Sequence, residues 1–354
     1  MNTRLIFIVT GIASLSGTAA FAHVRWFVDS SADVPSNYGL ASPAFLFWGL
    51  VAAGLVLASV WLDDKLPVPR IPGTKWRHDF MEILRVFTGM SFLLTAYEGA
   101  LLAPHQVADG PLGMALLILQ AAIGIMLIAN RWVKYAALSM LLLQVGVAYV
   151  FGILAALEYA IIVGIAFFLL FNAIEDEDLS NTMKPYSVDI MRIWTGISLV
   201  ALAVGEKLAP SALGQVFVAQ YQWNFMNSFG IPLFDDRLFV LAAGMVEAAI
   251  GIVLILGTTT RLAVFALSVM MALSNIVFIL QGNNEAAMVE FIGHMPIIGS
   301  ALVLLLLGYG RRLKITDHLP VGLVATGDDA AGLRDQGRTT RSYPQTHTPQ
   351  GETP

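Results

Sequence analysis

The chain contains no cysteine and few charged residues, and both shortages narrow its class. Without cysteine in its 354 residues, it cannot form disulfides, thiolate metal sites, iron–sulfur clusters or cysteine-based redox centres. Charged residues make up only 13% of the chain, against about 25% in soluble domains, which argues against a water-soluble globular protein. The net charge is only −5 and no basic block is present, so nucleic acid is excluded as a partner.

Apolar residues make up 57% of the chain, and the mean hydropathy of the whole chain is +0.72. Nine apolar segments have roughly the 20 residues that a bilayer crossing needs. They cover about 43–62, 82–103, 112–129, 133–152, 155–173, 189–209, 237–256, 261–281 and 288–308. Backbone groups in lipid must pair internally, and the alternating pattern of a barrel is absent. The sequence therefore predicts an all-α, polytopic protein with nine transmembrane helices in contact with the lipid bilayer.

The two ends of the chain differ in composition from the segments between them. Residues 1–22 combine Arg4, an apolar stretch and Ala20-Phe21-Ala22, the pattern of a cleaved signal peptide. An uncleaved first helix is the alternative, and cleavage would make His23 the mature N-terminus. Residues 316–354 are rich in Gly, Thr, Pro, Asp and Arg and are predicted to form a disordered tail.

Lys and Arg are distributed unevenly between alternate loops, which predicts the orientation of the protein. With the mature N-terminus outside, the inside loops contain nearly all of the basic residues, including Lys65, Arg70 and Lys314. The outside loops contain Arg25 and Arg237. This distribution predicts an outer N-terminus and a cytoplasmic C-terminus.

Two stretches of the chain repeat one another. The matching sequences are Glu82-Ile-Leu-Arg-Val-Phe-Thr-Gly-Met-Ser with Asp189-Ile-Met-Arg-Ile-Trp-Thr-Gly-Ile-Ser, and Gln120-Ala-Ala-Ile-Gly-Ile with Glu247-Ala-Ala-Ile-Gly-Ile. Membrane composition alone does not supply the shared Arg, Thr and Gly. The chain is therefore predicted to contain two parallel four-helix repeats, at 76–187 and 188–315, after an outer segment and an extra helix at 23–75.

The second repeat contains motifs that resemble those of the DoxX/DoxD-like family of four-helix membrane proteins. The matching stretches are Arg192-Ile-Trp-Thr-Gly, Gly205-Glu-Lys-Leu, Gly244-Met-Val-Glu-Ala-Ala-Ile-Gly, Leu256-Gly-Thr-Thr-Thr-Arg261 and His294-Met-Pro-Ile-Ile-Gly. The resemblance implies a bacterial inner-membrane protein, with relatives that look like membrane subunits of sulfur-compound:quinone oxidoreductases or of redox-stress complexes. The first repeat departs from the pattern, with Gln120 in place of Glu247 and Tyr159 in place of His294. These departures place the expected site in the second repeat.

Ionisable residues inside apolar segments are costly, and they are the main candidates for a functional site. Six polar residues of the second repeat map between mid-depth and the outer surface: Glu206, Lys207, Glu247, Asn275, Glu290 and His294. We expect Glu247 and His294, with Glu206 nearby, to take and pass a proton, and Lys207 to hold an anionic or quinone oxygen. Arg192, Asn275 and Glu290 are candidates for binding a cofactor, although Arg192 also suits an inner-interface anchor. The alternative is a set of interhelical salt bridges that only fixes packing.

Three histidines, His23, His105 and His294, map to the outer side and form a weaker candidate metal site. An N-terminal His can bind copper through its amine and its ring nitrogen. The alternative is a mature terminus that merely begins with His, since no closely spaced ligand pair is present.

Three functions are compatible with these features. The first is a membrane subunit of a redox system linked to a quinone or a sulfur compound, acting with a partner redox subunit or as a homo-oligomer. The second is a non-catalytic assembly or scaffold protein. The third is a permease for a small solute or metal, for which duplicated bundles with ionisable residues near the midplane are typical.

Overall fold

The computed structural model describes residues 24–28, 33, 35–66, 74–209, 213–231, 233–306 and 312–318. The predicted signal peptide, His23 and nearly all of the predicted tail lie outside these residues. The described residues form an all-α structure without a β-sheet.

Thirteen α-helices occur in this part of the chain. They are α1 (Pro43–Asp63), α2 (Thr74–Tyr97), α3 (Gly110–Ile128), α4 (Val133–Phe151), α5 (Ile153–Glu158), α6 (Ile161–Asn172), α7 (Glu177–Met183), α8 (Ser187–Leu202), α9 (Gly214–Tyr221), α10 (Phe225–Ser228), α11 (Asp236–Leu256), α12 (Thr260–Leu280) and α13 (Asn284–Leu306). A π-helical segment, Ala203–Leu208, continues α8, and a 3-10 turn forms at Val24–Trp26. Eight helices of the described chain are long and apolar enough to cross a membrane, so the protein is an integral membrane protein.

The fifth predicted transmembrane segment, 155–173, is not one continuous helix. It is divided because α5 ends at Glu158 and tight i→i+3 bonds around Tyr159 connect it to α6. With 12 residues, α6 is about 18 Å long, which is short of the ~30 Å hydrocarbon core of a bilayer. The chain therefore passes this position as two short helices, and eight of the nine predicted segments are full-length helices.

Apart from α1, the apolar helices fall into two sets of four with the same order of packing. The first set is α2, α3, α4 and the divided helix formed by α5 and α6, and the second set is α8, α11, α12 and α13. In each set the first helix packs on the second, and the third helix packs on the fourth. The fourth helix of each set packs on the first helix of the other, so that α13 lies against α2 and α6 lies against α8. Helix α1 lies outside both sets and packs along α11.

A buried arginine clamps the first two helices of each set together. The clamps consist of Arg85 with Glu82 and the carbonyls of Leu127 and Ile128, and of Arg192 with Asp189 and the carbonyls of Leu254 and Ile255. Equivalent residues occupy equivalent places in the two clamps. The second clamp also holds the C-terminal segment, because Arg192 donates to the carbonyl of Leu313 at 3.1 Å and Asp189 accepts the Leu313 N–H at 3.0 Å.

A glycine contact lets the same two helices approach closely in each set. A Cβ added to Gly89 would lie 2.9 Å from the carbonyl oxygen of Gly124, and one added to Gly251 would lie 2.8 Å from that of Gly196. Both distances are too short for a real Cβ, so each contact requires glycine. Small residues are the usual means by which membrane helices pack at close range.

Candidate functional site

The N-terminal segment, Val24–Val28, enters between the two sets and is largely buried. Val24 and Val28 are 2% and 6% exposed. Together with Phe27 they pack among aromatic side chains such as Phe278. Because the segment contains a single 3-10 turn, its position depends on contacts with the surrounding helices.

Helix α8 ends in the π-helical segment, which carries the adjacent residues Glu206 and Lys207. Both side chains are buried. The Glu206 carboxylate accepts the backbone N–H of Val24 at 3.0 Å and that of Arg25 at 3.4 Å. Such π-helical insertions are rare and occur frequently at functional sites.

Lys207 lies between two carboxylates. Its Nζ is 2.8 Å from Oε2 of Glu247 on α11 and 3.9 Å from Oε2 of Glu206. Asn37 holds the same stretch of backbone by donating to the carbonyl of Lys207 at 2.6 Å. These partners are needed because an unpaired charge in the interior is strongly destabilising.

A third buried carboxylate, Glu158, comes from the end of α5. Its Oε2 is 3.1 Å from the guanidinium of Arg25. The Glu158 side chain is 0% exposed, whereas that of Arg25 is 29% exposed. Oε1 of Glu158 has no hydrogen-bond partner within the described part of the protein.

Five residues, Arg25, Glu158, Glu206, Lys207 and Glu247, form what we term the acidic cluster. As far as the chain is described, it contains three carboxylates and two cations. With each group in its usual charge state at neutral pH, the cluster carries one excess negative charge. An uncompensated charge in a water-poor interior is costly, so this arrangement favours the binding of one proton or of another cation.

Aromatic and imidazole side chains border the acidic cluster. The indole N–H of Trp26 donates to the hydroxyl of Tyr159 at 2.9 Å, and the Trp26 and His294 ring centroids are 5.1 Å apart. Because Tyr159 lies between α5 and α6 and His294 lies on α13, Trp26 contacts elements of both sets. His294 is 3.9 Å from Glu290, which accepts a hydrogen bond from Ser274.

A small cavity lies beside the cluster, where the two sets meet. Its lining includes Glu158, Tyr159, Ser91, Ser198 and Pro296. With about 20 Å³ open to a water-sized sphere, the cavity has room for one water molecule. A quinone ring does not fit in it.

In the first set, the position that matches the Lys207–Glu247 pair contains no charged residues. The aligned stretches are Gly99-Ala-Leu-Leu-Ala-Pro104 and Gly205-Glu-Lys-Leu-Ala-Pro210. Ala100 and Leu101 therefore stand where the second set has its charged pair. Gln120, which aligns with Glu247, donates its amide to the carbonyls of Ala100 and Leu101 at 3.3 and 3.2 Å. A neutral amide thus connects these two stretches through backbone carbonyls in the first set, where a side-chain ion pair connects them in the second.

The structure brings three of the predicted site residues, Glu206, Lys207 and Glu247, into one group. Glu290 and His294 form a separate pair, which reaches the cluster through the indole described above. The five residues therefore lie in one region, but in two groups of different composition.

Asn275 and Arg192, two of the predicted cofactor-binding residues, make their described contacts elsewhere. Asn275 is half-buried and donates to the carbonyl of Ala287 at 2.8 Å, which ties α12 to α13. Arg192 precedes Glu206 by 14 residues, about 21 Å along a helix. Its hydrogen bonds are those of the helix clamp.

Two of the three histidines of the predicted metal site are described. The ring of His105 lies 6.1 Å from that of Tyr159, and neither of its nitrogens has a hydrogen-bond partner in this part of the chain. Burial and the nearby Arg25 lower the pKa of His105 to about 4. The described residues contain no group of three or more His, Cys, Asp or Glu placed to hold a metal ion. His23 lies outside them.

Sequence reasoning did not single out Arg25, Trp26 or Glu158 as site residues. The sequence contains a signal for two of them. Glu158 is a charged residue inside a predicted membrane segment, and Arg25 is one of only two basic residues in the predicted outer loops. The candidate site therefore combines the N-terminal segment with residues of both sets, and is not confined to the second repeat.

A comparison with protein families bears on the second set. The family model described as DoxX matches residues 188–282. This chain carries a DoxX domain. The matched part of the DoxX domain contains Glu206, Lys207 and Glu247 and ends before α13, so the resemblance seen in the sequence is confirmed there. No curated protein and no solved structure matches the chain.

Proposed function

We propose that this DoxX protein is a proton-handling subunit of a membrane redox system, in which the acidic cluster takes up and releases one proton. The observation that carries the proposal is the excess of one carboxylate in a buried group of charges. The link to redox chemistry, with a quinone or a sulfur compound as the electron carrier, rests on the DoxX/DoxD resemblance.

We infer that the two sets are copies of one four-helix unit, related by an axis along the membrane normal. The reciprocal packing, the arginine clamps and the glycine contacts support this inference. In the first copy, neutral Gln120 makes the contact at this position by donating to backbone carbonyls. Packing of this unit therefore does not require charged residues there. Charges that packing does not require support a functional role for the cluster.

Each member of the cluster has a role in this proposal. Lys207 lies between Glu206 and Glu247, so that its ammonium group connects the two carboxylates. Arg25 is 29% exposed, so the path to water runs past Arg25 and Glu158. In the topology predicted from the basic residues, this path opens on the outer side.

The proposal does not place a quinone within the cluster, because the cavity beside Glu158 has room for one water. The electron carrier would bind elsewhere on this protein or on a partner subunit. Purification of the tagged protein from its native membrane, followed by identification of the quinones and proteins that accompany it, tests this part of the proposal. A preparation that retains neither would count against the redox assignment.

Proton uptake by the purified protein tests the central claim. In a weakly buffered detergent solution with a pH indicator, the unmodified protein should bind about one proton in the neutral range in excess of the Glu247→Gln variant, whose cluster is charge-balanced. The double variant Lys207→Leu, Glu247→Gln again has one excess carboxylate and should regain the uptake. Equal uptake by all three proteins would refute the proposal.

A second candidate is an assembly protein, in which the cluster only fixes the helices. It is favoured by the fact that every charged residue of the cluster has an ion-pair partner. If the protein only assembles a complex, the Glu247→Gln variant and the double variant Lys207→Leu, Glu247→Gln should still bind their partner proteins, and the assembled complex should remain active. Loss of that activity in the Glu247→Gln variant, with the complex intact, would exclude it.

A further inference from the structure

We propose that the seat of the N-terminal segment is a binding site for a cationic ligand that carries an aromatic ring, with Val24–Val28 as its resident occupant. The proposal goes beyond proton uptake and does not depend on it, because it rests on how the segment is held. The same carboxylates take part in both, so the two proposals need separate tests.

The segment is held as a bound peptide would be. Its polar contacts go to the π-helical segment and to the C-terminal end of α5: backbone N–H groups to Glu206, the Arg25 guanidinium to Glu158, and the Trp26 indole to Tyr159. A positive group and a planar ring on neighbouring residues are therefore recognised separately, by a carboxylate and by a hydroxyl.

Two glycines shape the seat around these groups. A Cβ on Gly205 would overlap the Glu158 carboxylate and lie 3.5 Å from the Arg25 guanidinium. A Cβ on Gly293 would overlap the ring of Trp26. One glycine thus makes room for the ion pair and the other for the aromatic ring, and the seat is complementary to both.

The site has acceptor capacity that the segment does not use. Arg25 reaches only Oε2 of Glu158, while Oε1 of this fully buried side chain has no hydrogen-bond partner among the described residues. Glu158 also lines the small cavity between the sets. A ligand with further N–H donors, or with a bound water in the cavity, would satisfy the remaining oxygen.

The chemistry of the seat defines the ligand class as a guanidinium or amine next to an aromatic ring. A free small molecule and a short peptide both offer this chemistry. Two probes separate the contribution of the charge from that of the ring: methylguanidinium, which supplies only the charge, and the acetylated, amidated pentapeptide with the sequence of residues 24–28, which supplies both groups.

The first experiment uses the Arg25→Ala variant, whose seat lacks its cation. Methylguanidinium chloride should raise the Tm of this variant on the order of 2 °C above the effect of equal NaCl at about ten times its Kd. It should not raise the Tm of the unmodified protein or of Arg25→Ala, Glu158→Gln. An equal rise in all three proteins, or no rise in a folded Arg25→Ala variant, would overturn the proposal.

The second experiment measures displacement of the segment in the otherwise unmodified protein. Because the chain has no cysteine, Val28→Cys, at a buried position within the segment, provides a single thiol for a maleimide reagent. The pentapeptide should increase the labelling rate at least several-fold, whereas peptides with Ala in place of its Arg or its Trp should not. Tyr97→Cys, at a residue that is 89% exposed, serves as the control for reagent access.

An unchanged labelling rate with the pentapeptide would overturn the proposal, and an equal increase with methylguanidinium alone would overturn the requirement for an aromatic ring. If Val28→Cys fails to fold, Phe27→Cys provides the same readout. Proton uptake is measured without ligand, so failure of the proton proposal leaves these outcomes unaffected, and the reverse also holds.

Discussion

Replacement of Lys207 by Leu, the residue at the matching position of the first set, should lower the stability of the protein strongly on its own and less when Glu247 is also replaced by Gln. Lys207 lies 2.8 Å from Glu247, and the two side chains are 4% and 3% exposed. Removing one partner of a buried pair costs about 3–5 kcal/mol, so Lys207→Leu should lower the free energy of unfolding by that amount. Adding Glu247→Gln recreates the neutral contact that Gln120 makes, and should recover about 2 kcal/mol, within the range measured for residues in contact.

The assay is reversible unfolding in mixed detergent micelles, followed by tryptophan fluorescence for the unmodified protein, the two single variants and the double variant. If the decrease in the free energy of unfolding of the double variant equals the sum of the decreases in the two single variants, the neutral contact does not replace the ion pair. The correspondence between the two sets would then be refuted. The matched control transfers the charged pair to the first set. Leu101→Lys with Gln120→Glu should be more stable than either of these changes alone.

Four other predictions follow from the same contacts. Arg192→Leu should cost about 3–5 kcal/mol in the same unfolding assay, and Arg85→Leu distinctly less, because the acid beside Arg192 is fully buried and that beside Arg85 is 53% exposed. Gly293→Ala should displace the indole and quicken labelling of a cysteine in the N-terminal segment, and unchanged labelling would contradict the close packing. The pKa of His105 is about 4, against an ordinary 6.5, so its contribution to stability should be complete above pH 6.5 and should decrease as the pH falls towards 4. If the stability of a His105→Gln variant falls as steeply over this pH range as that of the unmodified protein, this prediction is refuted. The predicted topology places the segment after Lys314 in the cytoplasm. A reporter enzyme that works only in the cytoplasm should therefore be active when it is fused after Lys314, and an inactive fusion would contradict the topology.

The long helices could be predicted from the sequence because each depends on one local property, an apolar run of about 20 residues. The fifth segment differs because its break coincides with a contact to a distant part of the chain. Glu158 ends α5 where it meets Arg25, which is 133 residues away in the chain. Hydropathy along a segment contains no information about such a meeting, so a continuous helix was the expected result.

The candidate site was predictable in part, for a related reason. Glu206, Lys207 and Glu247 stand out because charges are rare inside membrane segments, and their contact follows from packing of α8 on α11. The ion pair between Arg25 and Glu158 was not predictable, because it requires the N-terminal segment to insert between the sets. No local pattern in residues 24–28 distinguishes an inserted segment from an outer loop.

Differences between the two sets, which led us to expect the site in the second repeat, have another consequence in three dimensions. Glu158-Tyr159 of the first set aligns with Gly293-His294 of the second. A single peptide segment has no two-fold symmetry, so a seat that binds it in one orientation must be built from unlike residues on its two sides. Arg25 meets a carboxylate on one side, and the indole occupies the space above a glycine on the other. We infer that the features common to both sets, the arginine clamps and the glycine contacts, maintain the fold, and that the positions at which the sets differ form the site.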